Sequence, residues 1–342
     1  MKALQLVAPK RLEMGTLPDP PDPGPDEVLV RLRSTGVCGS DMHTFSEGHI
    51  AGLEPEYPCV LGHEPAGEVV ECGPGVSDLP SGAKVAVEPF VVRADCEFTR
   101  TGRQNLALHH AFMGKDYDGA LREFAVMPRR NLVRVPDAMT FGDAAFIEPL
   151  SVVLHTVELA ELRMGESVAV IGAGPIGLIA VAVARLCGAS VVVAADRVPH
   201  RVRRAEQLGA TAAVNVSDES PVGAVMDLTG VGAHVVIDAA GTADSINSAI
   251  ACLRPGGRMV LVGIPSRSNI PVNFWTALDR EARIHVQKRS NGNDHDALSL
   301  LERGLIRSAD IMSHRFPLER GQEAFEMIAG YRDEVIKPLI EW

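Results

Sequence analysis

Aromatic residues are scarce in this 342-residue chain, at 4%, which leaves few platforms for stacking nucleic-acid bases. Positive charge is in deficit: 33 Lys and Arg against 44 Asp and Glu give a formal net charge of -11. That balance argues against phosphate-backbone binding as a main function. The six cysteines, at 38, 59, 72, 96, 187 and 252, show no paired spacing, so no disulfide framework is expected. No apolar run approaches the ~20 residues that span a bilayer. Residues 1–15 lack the charged and apolar regions of a secretory signal. A reduced, cytoplasmic protein without membrane or nucleic-acid partners is the expectation.

What is present is enough apolar material, 46% of residues, for two domains that each bury a core. The first third is rich in proline and glycine. Its short apolar stretches at 28–32, 67–70, 84–87 and 132–135 read as strands between turns, and helix signals are few before about Gly142. Beyond that point strand patterns at 168–171, 191–196, 213–216, 235–238, 258–262 and 283–286 alternate with alanine-rich helical stretches such as 177–187 and 199–208. Six such β units imply a parallel, doubly wound sheet. The tail predicts helices over 296–303 and 318–329 and an apolar end at 335–340.

The most specific local pattern is Gly172-Ala173-Gly174-Pro175-Ile176-Gly177, placed between a strand and a helix. Its glycines allow a tight turn, close backbone approach to a pyrophosphate, and close helix–strand packing. The helix N-terminus offers free N–H groups to phosphates. Asp196 stands nineteen residues past Gly177, where a carboxylate accepts hydrogen bonds from ribose hydroxyls. The competing reading is a structural turn with an ordinary surface aspartate. Asp196 favours NAD over NADP by repelling a 2′-phosphate, although Arg197 and Arg201 are close enough in sequence to soften that repulsion.

Upstream lie Cys38, the pair His63-Glu64, and Glu148. One soft ligand, one imidazole and two carboxylates make the donor set of a zinc site that can keep a position open. Taken singly, a cysteine is more often a small buried hydrophobe, and the same caution covers His63. Adjacent residues of an extended strand point to opposite faces. His63 and Glu64 therefore share an ion only if the chain turns, which Gly62 permits and Pro65 opposes.

The segments 37–43 (VCGSDMH), 61–69 (LGHEPAGEV), 87–89 (VEP), 148–152 (EPLSV) and 313–318 (SHRFPL), with the glycine turn, resemble the zinc-dependent medium-chain dehydrogenases. Glu148-Pro149-Leu150-Ser151-Val152 is similar to the polyol (sorbitol-type) branch. The resemblance implies an α/β protein: a GroES-like, mostly β catalytic domain over 1–150 and 289–342, and a Rossmann doubly wound, six-stranded parallel coenzyme domain over 151–288. It implies that Cys38, His63 and Glu64 ligate zinc, with Glu148 holding the metal's water or replacing it as ligand. Asp41 would orient the histidine, while Ser40 and His43 carry the substrate proton outwards. Gly172, Gly174, Pro175, Ile176, Gly177, Asp196 and Arg201 would bind the cofactor, with Val262, Gly263 and Ile264 beside the nicotinamide and Arg289 near substrate and cofactor.

Relatives commonly hold a second, structural zinc on four cysteines. Here only Cys96 remains, with Arg93, Thr99 and Ala107 at the other positions, so one zinc per chain is expected. The implied reaction is NAD-linked oxidation of a polyol's secondary alcohol to a ketose by a homo-oligomer, a dimer or a tetramer. Two other readings stand beside it: another zinc alcohol or threonine-type dehydrogenase, and a non-catalytic NAD-binding protein.

Overall fold

Alternating apolar residues at 28, 30 and 32 build the strand Glu27–Gly36, whose Val28, Val30 and Leu32 are fully buried. In the computed structural model, which describes residues 1–50 and 52–342, this strand anchors the first of two units. That unit comprises Met1–Ser151 and Asn291–Trp342, and the second comprises Val152–Ser290. No helix among the described residues is long and apolar enough to cross a membrane.

In the first unit, Glu27–Gly36 pairs antiparallel with Glu64–Cys72, Phe124–Pro128 and Lys337–Glu341 in a seven-stranded sheet. The register sets Gly36 opposite both Glu64 and Leu339. Lys337, two residues before Leu339, shares its face because side chains alternate along a strand. The apolar end expected at 335–340 thus forms a central strand with a lysine inside it.

The largest departure from the sequence expectation is the helix Gly39–Glu47, formed in the stretch before Gly142 where helix signals are few. Cys38 precedes it in extended conformation, its N–H held by Asp41 Oδ2 at 3.1 Å. Gly48 ends the helix at φ +79°, a conformation glycine adopts without steric cost. The helix is short and polar, and cysteine is not a usual N-cap, so neither periodicity nor capping preference marks it.

Around Cys96 the chain forms a small lobe. Phe90, Cys96 and Ala107 are buried together, with Val92, Phe98 and Phe112 packed against them. The ring of His110 stacks on Phe90 with centroids 4.5 Å apart.

The second unit is a six-stranded sheet, parallel throughout. Its order is Ala212–Asn215, Val191–Asp196, Ser167–Ile171, Ala233–Asp238, Leu253–Leu261, Arg283–Val286. Numbered along the chain this is 3-2-1-4-5-6, the doubly wound order whose switch point lies between the first and fourth strands. Three of its helices, starting at Pro175, Pro199 and Pro221, carry proline at the first turn, where the missing N–H breaks no helical bond. The core of Val193, Ala195, Val236, Ile250 and Met259 closes one face.

Candidate active site

Three side chains of the first unit converge. A Cys38 sulfur, a His63 ring nitrogen and a Glu64 carboxylate oxygen lie within 4.8 Å of one another. Among the described residues this is the one such group of three metal-ligating side chains. The sharing of one site by adjacent residues follows from the backbone. Gly62 is left-handed at φ +95°, His63 lies outside any strand, and Glu64 opens the strand Glu64–Cys72.

His63 is buried and fixed at both ring nitrogens. Its Nδ1 lies 3.3 Å from Asp41 Oδ1, and its Nε2 lies 3.3 Å from Ser40 Oγ. Asp41 also accepts the N–H groups of Cys38 and Gly62, each at 3.1 Å. Burial would raise the Asp41 carboxyl, but the imidazole and these N–H groups hold it below its ordinary value. Burial would likewise lower His63, yet the Asp41 carboxylate and the Cys38 sulfur carry it well above 6.5. An imidazole so surrounded sits where positive charge is favoured. With Nδ1 turned to Asp41, Nε2 is the nitrogen left for a metal.

Lys337 is the participant that the sequence did not reveal. It is 2% exposed and Glu64 1% exposed. Its Nζ donates to Glu64 Oε1 at 2.7 Å and to the Val37 carbonyl at 3.2 Å. Glu64 Oε2 lies 2.5 Å from the same nitrogen as an ion pair but outside hydrogen-bond geometry, so one oxygen keeps an unused lone pair. Burial would lower the Lys337 pKa; Glu64, Cys38 and Glu148 together raise it. Gly36 completes this corner, since a Cβ there would come within 2.0 Å of Glu64 Oε2. A thiol, an imidazole and a carboxylate with capacity to spare, beside a glycine whose Cβ would crowd that carboxylate, fit a zinc ion.

Ser40 is buried in the first turn of its helix beside His63. His43, one turn further, is partly exposed, and its Nδ1 faces Glu47 at 3.3 Å. Glu148 is buried in the first turn of Ile147–Leu159 and stands outside the group of three, within electrostatic reach of Lys337 and Asp294.

In the second unit the glycine turn fills the switch point. A Cβ on Gly177 would lie 1.8 Å from the Gly172 carbonyl, and one on Gly172 would lie 2.9 Å from Ala240 Cβ. At Gly174 only Arg201 Nη1 approaches, at 3.7 Å, so that glycine is open to a ligand. Asp196 accepts the N–H groups of Ala173 and Val198 at 2.7 and 2.8 Å, which ties the two strand ends together. Val262 and Gly263 donate their N–H groups to the Asp238 carbonyl just past the strand end, and Ile264 is exposed. Arg289 has φ +58°, an uncommon conformation outside glycine, and its carbonyl accepts a hydrogen bond from Gln287.

A nucleotide-binding sheet and a Cys–His–Glu donor set on one chain define a zinc-dependent oxidoreductase that uses a nicotinamide cofactor. Residues 24–137 match the alcohol dehydrogenase GroES-like domain, and residues 175–302 match the zinc-binding dehydrogenase family. The chain is 33% identical to the sorbitol dehydrogenase of Bacillus subtilis over 342 residues, covering 99% of this chain and 97% of that one. Among solved structures it superposes on an alcohol dehydrogenase from Thermus sp. ATN1 with a TM-score of 0.91 and 32% identity, covering 100% and 99% of the two chains. It superposes equally well on a zinc-binding dehydrogenase from Sinorhizobium meliloti bound to NADP, with a TM-score of 0.90, 30% identity and coverage of 100% and 99%. The chain belongs to the zinc-dependent medium-chain dehydrogenases, in their polyol branch.

Proposed function

We propose that the protein oxidises a secondary alcohol of a sugar alcohol to a ketose, reversibly and with NAD, using one catalytic zinc and no structural zinc. The observation that carries this reading is the convergence of Cys38, His63 and Glu64 beside the buried hydroxyl of Ser40. When bound, zinc supplies a Lewis acid that eases loss of the alcohol proton, and NAD supplies the hydride acceptor.

The chain's own residues do the rest. Asp41 holds the His63 tautomer, and Lys337 fixes the Glu64 carboxylate while leaving it a free lone pair. Ser40 takes the hydroxyl proton of the substrate only as it passes its own proton on towards His43. His43 stands three residues along the same helix, so it shares a face with Ser40, and its partial exposure suits delivery of that proton to solvent. Glu148 serves the remaining metal position, as donor or through a water.

Asp196 supports NAD, because its carboxylate stands where a 2′-phosphate would lie. The apolar cluster around Cys96 supports a lobe held by packing instead of a second zinc. A homo-oligomer, dimer or tetramer, is supported by Phe274, Trp275, Leu278 and Val286, each more than two-thirds exposed, since such apolar patches mark interaction surfaces.

A panel of stereochemically defined sugar alcohols, simple alcohols and threonine, each run with NAD and NADP, tests the reading. The expected result is the highest kcat/KM on a sugar alcohol with NAD. Preference for a simple alcohol or for threonine would refute the polyol assignment, and preference for NADP would refute the role given to Asp196.

A further inference from the structure

One fully buried acid of the second unit has no side-chain role above. Asp238 is 0% exposed and ends the strand Ala233–Asp238. That strand runs parallel to Ser167–Ile171 on one side, with Ile171 opposite Asp238. On the other side it runs parallel to Leu253–Leu261, with Leu261 opposite Asp238. Asp238 therefore stands at the carboxyl edge of the sheet, across the switch point from Asp196.

Its acceptors serve two loops that leave this edge. The carboxylate takes the N–H of Ala240 on Oδ1 at 3.3 Å and that of Gly241 on Oδ2 at 3.1 Å. The backbone carbonyl takes the N–H groups of Val262 and Gly263, both at 2.9 Å. The loops are also pressed together. A Cβ on Gly263 would lie 2.4 Å from the Gly241 nitrogen, and one on Gly241, at φ +69°, would lie 2.8 Å from the Gly263 carbonyl carbon. Neither loop can shift far without breaking a bond to Asp238.

A carboxylate is a costly way to hold them. Burial pushes Asp238 up to about 6, against the lowering effect of Ser245 and of the Ala240 and Gly241 N–H groups. Folding binds a proton there between 3.8 and about 6, so the stability this confers is complete below 3.8 and lost as pH rises through about 6. Acids perturbed in this way concentrate at functional sites.

A dinucleotide crosses the switch point of such a sheet, with one mononucleotide on each side. Asp196 and the glycine turn take the adenosine and pyrophosphate side. The ends of Ala233–Asp238 and Leu253–Leu261 are left for the nicotinamide side. We infer that Asp238 is a positioning residue for the nicotinamide half of NAD, locking the loops 239–242 and 262–264 into one wall while touching no ligand itself. The inference rests on the NAD-linked reading proposed above.

Calorimetric titration of the zinc-loaded protein with NADH, and with ADP-ribose, which lacks the nicotinamide ring, tests the assignment. Asp238→Ala should bind NADH about tenfold or more weakly than wild type, the scale of one lost charge-assisted hydrogen bond. Its affinity for ADP-ribose should stay within about twofold. Asp238→Asn keeps one acceptor oxygen in nearly the same shape and should fall between wild type and Asp238→Ala for NADH, again with ADP-ribose unmoved. If Asp238→Ala does not fold, Asp238→Asn carries the same comparison. A merely structural role would lower both affinities together or neither, and either result would overturn the assignment. Absence of alcohol turnover by wild type would instead refute the proposed function, and the NADH and ADP-ribose affinities would still decide the role of Asp238.

Discussion

Cys38→Ala is expected to release zinc and to lower alcohol-dependent reduction of NAD by on the order of 10³-fold or more, the loss of several kcal/mol of charge stabilisation. Without the thiol the site keeps one imidazole and one carboxylate, and the carboxylate is already shared with Lys337. Even with Glu148 serving the remaining position, the tetrahedral zinc site is then short of its thiolate donor. The nucleotide turn belongs to the other unit, so NAD affinity, measured by fluorescence titration, should stay within about twofold, well inside 1 kcal/mol. Full activity in this variant would refute the metal mechanism.

The second large effect concerns stability. Lys337→Met should destabilise the metal-free protein by about 3–5 kcal/mol, because Glu64 is left as an uncompensated buried charge. Gly36 approaches too closely for that carboxylate to swing towards it. Zinc offers replacement positive charge, so the deficit should shrink in the loaded protein. The double variant Glu64→Gln/Lys337→Met should regain much of the stability while remaining deficient in zinc, since the pair is then neutral but one donor is weakened. Denaturant midpoints of wild type and both variants, with and without zinc, measure these differences. A Lys337→Met loss below about 1 kcal/mol in the metal-free protein would show that the pair contributes no more than an ordinary surface site.

These effects explain which parts of the molecule the sequence could disclose. The coenzyme sheet was legible because its central strands are compact apolar runs separated by helical periodicity. Residues 191–196 and 283–286 read directly as the strands Val191–Asp196 and Arg283–Val286. Strand starts were less legible. The strand expected from 258 begins at Leu253, because Pro255, Gly256 and Gly257 read as a turn. In the first unit the helix Gly39–Glu47 was hidden, since its cap is made by Asp41 reaching back to the Cys38 N–H and not by a usual N-cap side chain.

The same contrast holds at the site. Cys38, His63 and Glu64 are near enough in sequence, and chemically distinctive enough, to be read as a donor set. Lys337 is not. It lies 273 residues from Glu64, inside an apolar strand, and only the register that brings Gly36 between Glu64 and Leu339 joins the two.

The central claim is that a single zinc on Cys38, His63 and Glu64 makes this chain an alcohol dehydrogenase. It is tested most directly by stripping the protein of metal and titrating zinc back while following NAD reduction by a sugar alcohol. Activity should be absent in the stripped protein, rise with added zinc and saturate at one equivalent per chain. Turnover by the stripped protein, or a requirement for a second equivalent, would contradict the account.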